Sequence, residues 1–369
     1  MNKIPAIVHN AGYLFEPGIL NFDSLVEIHA NRFSNNPRPI NTYVEHIPTW
    51  PDYPQIPIPF GTDPHGEGGT QPSYKVFINS TEPESERGIR ETIELVIANH
   101  EKYDLILTTD KETLNNCNNA VLFPYGTTWI GKKLTPDLQS LCVYDESTDS
   151  HLHDNKRFEV SFLMTRHCTE NISGYDVRQK LWMNQELINI PKLFYNSYLY
   201  GLFDGSYSDI GLEDAQKNIL PEGDKKLLFN SQFHIVIESL SIENYFTEKL
   251  IDALITKTVP IYCGCPNIGD FFDTRGMIII DNKIPHMNKK EFINQKLDIV
   301  RGNPAITNAE VFSLQNHPGK DIIKSCNKLN QNSYEEMLPF IEENYKRAKQ
   351  YSGSLAKRVK EEIEKRINT

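Results

Sequence analysis

Glu238 closes an apolar run, Phe233-His234-Ile235-Val236-Ile237, and Thr247-Glu248-Lys249 opens the next one, in which Leu250, Ile251, Leu254 and Ile255 recur at helical spacing. Read physically, a buried strand ends at a carboxylate, a short polar loop follows, and a helix starts at Thr247, whose hydroxyl can cap it. The first N–H groups of a helix have no partner inside it and sit at the positive end of its dipole. An acid and a lysine in that first turn make an anion site, with Lys249 for a phosphate and Glu248 as an acceptor for ribose or sugar hydroxyls. Alone, the pair would be ordinary helix-start charges, so its surroundings decide.

Those surroundings alternate strand and helix. Segments 75–79, 103–110 and 119–126 read as strands, with an amphipathic helix over 89–102. A polar stretch, 145–157, precedes a second series: strand 158–166, helix 175–189, strand 233–238, helix 247–257, and strands 259–264 and 276–281. That rhythm predicts βαβ units on parallel sheets, and 369 residues suffice for two domains of ~100–200 residues each. The expected division is an N-terminal α/β domain over 1–154, a C-terminal Rossmann-like domain over 155–333 and a helical segment over 334–369.

Composition narrows the function. A net charge of −11 argues against a nucleic-acid partner, which would call for a basic face. Six cysteines without C-x-x-C spacing predict a reducing compartment, the cytoplasm, and no apolar run reads as a signal peptide or membrane span. Nine of the 22 prolines fall in 37–72, together with Tyr43, Trp50, Tyr53 and Phe60, which predicts a long irregular loop with a recognition role. Residues 346–369 carry eight Lys/Arg against three Glu, with Leu355, Val359, Ile363 and Ile367 in a narrow stripe. A docked helix is expected there; the second reading is peripheral contact with an anionic membrane.

Other chemistry-bearing patterns fall away. Gly126-Thr-Thr-Trp-Ile-Gly131-Lys132-Lys133 imitates a P-loop but lacks the final Ser/Thr, and Pro136 follows where a helix should begin. His151 and His153 lie in a polar linker without further ligands at metal-site spacing. There is no Asp-x-Asp, G-x-S-x-G or H-E-x-x-H.

Residues 233–272 resemble the donor-binding signature of the family-ten glycosyltransferases, the α-1,3/1,4-fucosyltransferases. That signature is a strand ending Glu-Asn-Ser, a spacer, Tyr-x-Thr-Glu-Lys, a helix, and a Thr-Val/Ile-Pro-Ile/Val-x-x-Gly strand. Tyr245-Phe246-Thr247-Glu248-Lys249 and Thr258-Val259-Pro260-Ile261-Tyr262-Cys263-Gly264 match it in register, while Ser239 stands where the family has Asn. The resemblance weakens toward 158–189, where the family places an arginine on the donor pyrophosphate; Arg178 is the natural occupant and Arg166 the runner-up.

The resemblance implies a GT-B-like fold, two Rossmann-like doubly wound domains facing a cleft with C-terminal helices. It implies transfer of fucose from GDP-fucose to a glycan hydroxyl with inversion. The donor would be held by Arg178, Glu238, Ser239, Tyr245, Glu248 and Lys249, and no metal or other cofactor is expected. The family's base is a glutamate just after an N-domain strand, for which Glu82 stands first and Glu84 second. Two alternatives stay open: the same fold with another nucleotide sugar, for which Ser239 is the motive, and a non-catalytic sugar-binding module.

Overall fold

The computed structural model describes residues 4–10, 18–21, 26–32, 74–78, 89–124, 126–130, 149–164, 173–196, 218–221, 224–281, 284, 314, 317–352 and 355–367. The Pro-rich stretch 37–72, Glu82, Glu84 and Arg166 lie outside them. The chain divides into two compact units, one of Met1–Tyr125 with Leu355–Thr369 and one of Gly126–Ser354.

The first unit carries a six-stranded sheet of β1 (Ile4–Asn10), β2 (Gly18–Asn21), β3 (Val26–Arg32), β4 (Tyr74–Ile78), β5 (Leu105–Thr108) and β6 (Ala120–Leu122), in the order β2-β3-β1-β4-β5-β6. Only β2 pairs antiparallel, with β3; the other pairings are parallel. Helices α1 (Ile89–Ala98) and α2 (Lys111–Asn116) make its crossovers, and Asp110 caps α2 by accepting from Thr113 N at 2.7 Å. Val76, Phe77, Ile78, Leu105, Ile106 and Leu107 are buried, as continuous apolar runs in a parallel sheet require.

The second unit holds β7 (Arg157–Met164), β8 (Lys192–Asn196), β9 (Ser231–Ile237), β10 (Val259–Cys263) and β11 (Ile278–Ile279), all parallel, in the order β11-β10-β9-β7-β8. Read outward from β7, the chain first adds β8 on one side and then β9, β10 and β11 on the other. The winding therefore reverses between β7 and β9, and ligands of doubly wound sheets gather outside the carboxyl ends of the strands at such a point. Helix α3 (Ser173–Met183) follows β7 and α4 (Glu248–Ile255) follows β9.

Helices cover both faces. On one, Val160, Phe162, Ile235, Ile237 and Ile261 pack with Val177, Leu181 and Trp182 of α3, with Ile322 of α5 (Pro318–Cys326) and with Ile341 of α6 (Ser333–Ala348). On the other, Val236 and Tyr262 pack with Leu250, Ile251, Leu254 and Ile255 of α4. The expected helix over 247–257 and strand over 259–264 are thus present within a residue or two at each end.

The units divide at Tyr125/Gly126, ahead of the polar segment at 145–157, because Gly126–Ile130 is tied into the second unit. Asp252 of α4, itself buried, accepts from Thr128 Oγ1 at 2.8 Å and Trp129 N at 2.7 Å, and pairs with Lys225 at 2.8 Å. A Cβ on Gly126 would come within 2.6 Å of the Phe246 ring. The last helix, α7 (Leu355–Ile367), returns to the first unit: Arg358 donates to Pro124 O at 2.7 Å and stacks on Phe123, while Val359 and Ile363 are fully buried. Val359 and Ile363, the two residues of the apolar stripe whose side chains are described, are therefore spent on packing within this unit. Among the described residues no helix is long and apolar enough to cross a membrane.

Candidate functional site

Strand β9 delivers Glu238 to the switch point. Glu238 N donates to Cys263 O at 2.9 Å, extending the ladder by one residue, and the side chain is 0% exposed. Its two oxygens are both engaged by one residue: Oε1 accepts from Thr247 N at 2.9 Å and Oε2 from Thr247 Oγ1 at 2.7 Å. Gly264, at the end of the neighbouring strand, is required by this packing, since a Cβ there would lie 2.5 Å from Glu238 Cγ. Burial raises the Glu238 pKa, outweighing the Lys249 charge and the Thr247 hydrogen bonds.

Thr247 caps α4, as its position predicts, with Oγ1 accepting from Lys249 N at 3.4 Å. Lys249 turns its ammonium back over this cap, with Nζ donating to Thr247 Oγ1 at 3.3 Å and to Glu248 Oε1 at 3.1 Å. Burial alone would raise the Glu248 pKa, but Lys249 and Lys225 overcome it and hold the carboxyl at about 2. Burial works against the Lys249 charge too, and the Glu248 and Glu238 carboxylates reverse that, so its pKa is raised. Glu248 and Lys249 are therefore an ionised pair at a helix start, and the Lys249 side chain keeps 30% of its surface exposed.

Helix α3 brings the second cation. Gly174 N donates to Ser239 O at 2.9 Å, and a Cβ on Gly174 would fall 2.0 Å from Glu238 O. Only glycine lets the start of α3 rest directly on the end of β9. One turn on, Arg178 reaches back along the strand: Nη1 donates to Ile237 O at 2.7 Å, and the guanidinium carbon lies 4.2 Å from the centroid of the Tyr175 ring. The residue is 3% exposed, and among the described residues its Nε and Nη2 have no hydrogen-bond partner. Buried donors are nearly always satisfied, and an oxygen-rich anion is the kind of group that two such donors on one guanidinium could bind. Arg178 lies close enough to Lys249 to oppose its charge.

Of the residues expected at the site, Arg178, Glu238, Ser239, Glu248 and Lys249 thus gather around the starts of α3 and α4. Ser239 contributes its carbonyl to Gly174, and its side chain is buried. Tyr245 is 2% exposed, its ring directed into the fold, with its N donating to Ile242 O at 3.3 Å. The loop it belongs to is clasped to the one after β10: Asn267 Oδ1 accepts from Asn244 N at 2.8 Å, and Asn267 Nδ2 donates to Asn244 Oδ1 at 2.9 Å. Asn244 has φ 63°, a left-handed conformation that asparagine tolerates better than most residues. Sequence reading missed Gly174 and Tyr175; a glycine beside a helix start, four residues before an arginine, was the available signal.

Among the described residues no group of three or more His, Cys, Asp or Glu side chains is placed to hold a metal ion. His153, set aside as a ligand, instead meets Ile255 O at 3.1 Å through Nε2.

No family model matches the chain, and no curated protein matches it. Among solved structures, the chain is similar to an α1,3-fucosyltransferase crystallised with GDP-fucose, at 18% identity and a TM-score of 0.35 over 75% of this chain and 76% of that one. It is similar to an α1,3-fucosyltransferase without a named ligand at 14% identity and a TM-score of 0.39, over 93% and 90% of the two chains. A third structure, an α1,3-fucosyltransferase with GDP, shows 15% identity and a TM-score of 0.35 over 93% and 91%. With TM-scores below 0.5, these likenesses do not carry a functional assignment, which has to come from the residues themselves.

Proposed function

We propose that the chain is an inverting glycosyltransferase that moves fucose from GDP-fucose to a glycan hydroxyl, with the donor diphosphate in the cradle between the starts of α3 and α4. The observation that carries this reading is Arg178, buried at the switch point of a doubly wound sheet with two donors that have no partner among the described residues, and close enough to Lys249 to oppose its charge. The choice of GDP-fucose comes from the resemblance of Tyr245–Lys249 and Thr258–Gly264 to the family-ten signature.

The chemistry follows from those groups. Displacement at the anomeric carbon passes through an oxocarbenium-like state while negative charge collects on the departing diphosphate. Arg178, Lys249 and two helix N-termini can stabilise that charge. Glu248, held ionised, can accept from donor hydroxyls. A carboxylate must take the acceptor proton as the new bond forms, and Glu82, with Glu84 second, is the proposed base.

A thermal-shift panel of GDP, UDP, CMP and dTDP tests the donor assignment. A nucleotide at a hundred times its Kd stabilises by about 2.7 kcal/mol. Stabilisation by GDP alone is expected; stabilisation by UDP alone would transfer the reading to another donor, and stabilisation by none would remove it.

A further inference from the structure

We propose that Glu238 and Thr247 are positioning residues that do not touch the donor and instead fix the direction in which Lys249 presents its remaining proton. The proposal rests on the nucleotide-sugar reading above and changes the part given to Glu238, which sequence reasoning counts among the donor-binding residues.

A hydroxyl has one proton and two lone pairs, and an ammonium has three protons and no acceptor. Thr247 Oγ1 lies 2.7 Å from Glu238 Oε2, 3.4 Å from Lys249 N and 3.3 Å from Lys249 Nζ, and it also interacts with the Glu248 carboxyl. The short bond to Glu238 Oε2 takes the Thr247 proton, and both lone pairs are left for the two donors of Lys249. Were the Glu238 oxygen a donor, the hydroxyl would turn round and set its proton against the ammonium. The carboxylate therefore dictates the polarity of the cap.

Two of the three Lys249 protons are then committed, one to Thr247 Oγ1 and one to Glu248 Oε1. With two directions fixed, tetrahedral geometry fixes the third, and the side chain keeps 30% of its surface exposed. Glu238 is itself immobilised by more than this contact. Its N–H is in the sheet, Gly264 crowds its Cγ so closely that a methyl group would not fit, and the start of α3 presses on its carbonyl. A fully buried carboxylate with both oxygens taken has no free face for a ligand, and its burial is offset only by what it orders.

The test is a double-mutant cycle on the full chain, with GDP affinity read by calorimetry and apo folding by thermal midpoint. Thr247→Val keeps the backbone N–H to Glu238 and removes only the hydroxyl; it should weaken GDP binding about tenfold, the size of one misdirected charge-assisted contact. Thr247→Ser, which restores the hydroxyl, should bind within twofold of wild type. Lys249→Ala should lose most of its effect in the Thr247→Val background, because the lysine is already misdirected there. Glu238→Gln, isosteric and uncharged, serves where Thr247→Val does not fold, and should show the same coupling to Lys249→Ala. Wild-type binding with fully additive losses, or a Thr247→Val protein that binds GDP normally, would overturn the positioning role and leave the donor reading intact. A wild-type chain that binds no nucleotide would overturn both.

Discussion

Replacing Arg178 by methionine should stabilise the unliganded protein and weaken its hold on GDP, two effects of opposite sign from one side chain. The apo ledger begins with what is lost. The bond from Nη1 to Ile237 O is worth about 1.5–3 kcal/mol as a charge-assisted contact, and the stack on Tyr175 about 0.5–2 kcal/mol. Against these stand two buried donors without partners among the described residues, about 1–3 kcal/mol each. To them is added the burial of a charge, several kcal/mol, with Lys249 opposing it. Exchange of a buried charge for an apolar side chain of similar length is commonly neutral to favourable by about 1–4 kcal/mol. A rise of about 1–3 kcal/mol is expected, or roughly 1–2 °C in Tm per kcal/mol for a chain of 369 residues. On the bound side, two charge-assisted contacts to the diphosphate vanish, which should lower GDP affinity by about a hundredfold or more. Scanning calorimetry without nucleotide and titration with GDP read the two halves separately. If Tm falls by several degrees while GDP affinity stays within twofold, Arg178 is a structural residue and the cradle is misassigned.

His234 on β9 is buried against Phe229, with Nδ1 2.8 Å from Ser161 Oγ; burial first, then the Lys225 and Lys156 charges, hold its pKa down to about 3. The folded state keeps it neutral while the unfolded chain protonates it near its ordinary value. Stability should therefore fall as pH drops from about 6.5 toward 3, by about 2.5 kcal/mol between pH 7 and 4.5. Urea denaturation of His234→Asn should lack this component, and parallel pH profiles for the two proteins would refute the assignment. Ile363→Ala should cost about 2–5 kcal/mol by urea denaturation, because α7 buries that side chain fully, and it should leave liposome flotation unchanged; loss of flotation on anionic vesicles would return the segment to a membrane role. Glu82→Gln should lower kcat by roughly 10²–10⁴-fold with GDP affinity intact, and Glu84→Gln should be mild; the reverse pattern in single-turnover assays would exchange the two. Transfer should persist in EDTA, and loss restored by Mn²⁺ would refute charge stabilisation by protein cations.

Periodicity carried the reading where burial is two-sided. The strands at 75–79 and 233–238 are built on the apolar runs Val76–Ile78 and Ile235–Ile237, and the helix at 247–257 shows its inner face at 3.6-residue spacing. It failed where polar residues interrupt a strand. Ile4–Asn10 contains Pro5 and ends in His9 and Asn10, and Val26–Arg32 alternates with Glu27, His29 and Asn31, so neither reads as part of a parallel sheet. Strand β8, Lys192–Asn196, is short and bounded by Pro191, and drew no strand reading. At the site, Glu248 and Lys249 were legible because a helix start displays its charges within a few residues. What Glu238 bonds, and that two Arg178 donors have no partner among the described residues, depend on a loop and a helix meeting a strand end through Thr247 and Gly174. No spacing rule reports such a meeting.

The return of α7 to the first unit has a consequence for biogenesis. Gly126–Ser354 is one uninterrupted stretch, whereas the unit that begins at Met1 needs Leu355–Thr369 to be whole. A ribosome releases the chain from its amino end, so the unit holding Met1–Tyr125 must wait, with the place that Val359 and Ile363 will fill still open to water, until residues 355–369 have been made. The second unit can complete its sheet first. Deletion of residues 355–369, which would spare every residue of the nucleotide cradle, should therefore disable the protein through the unit whose first segment is made earlier.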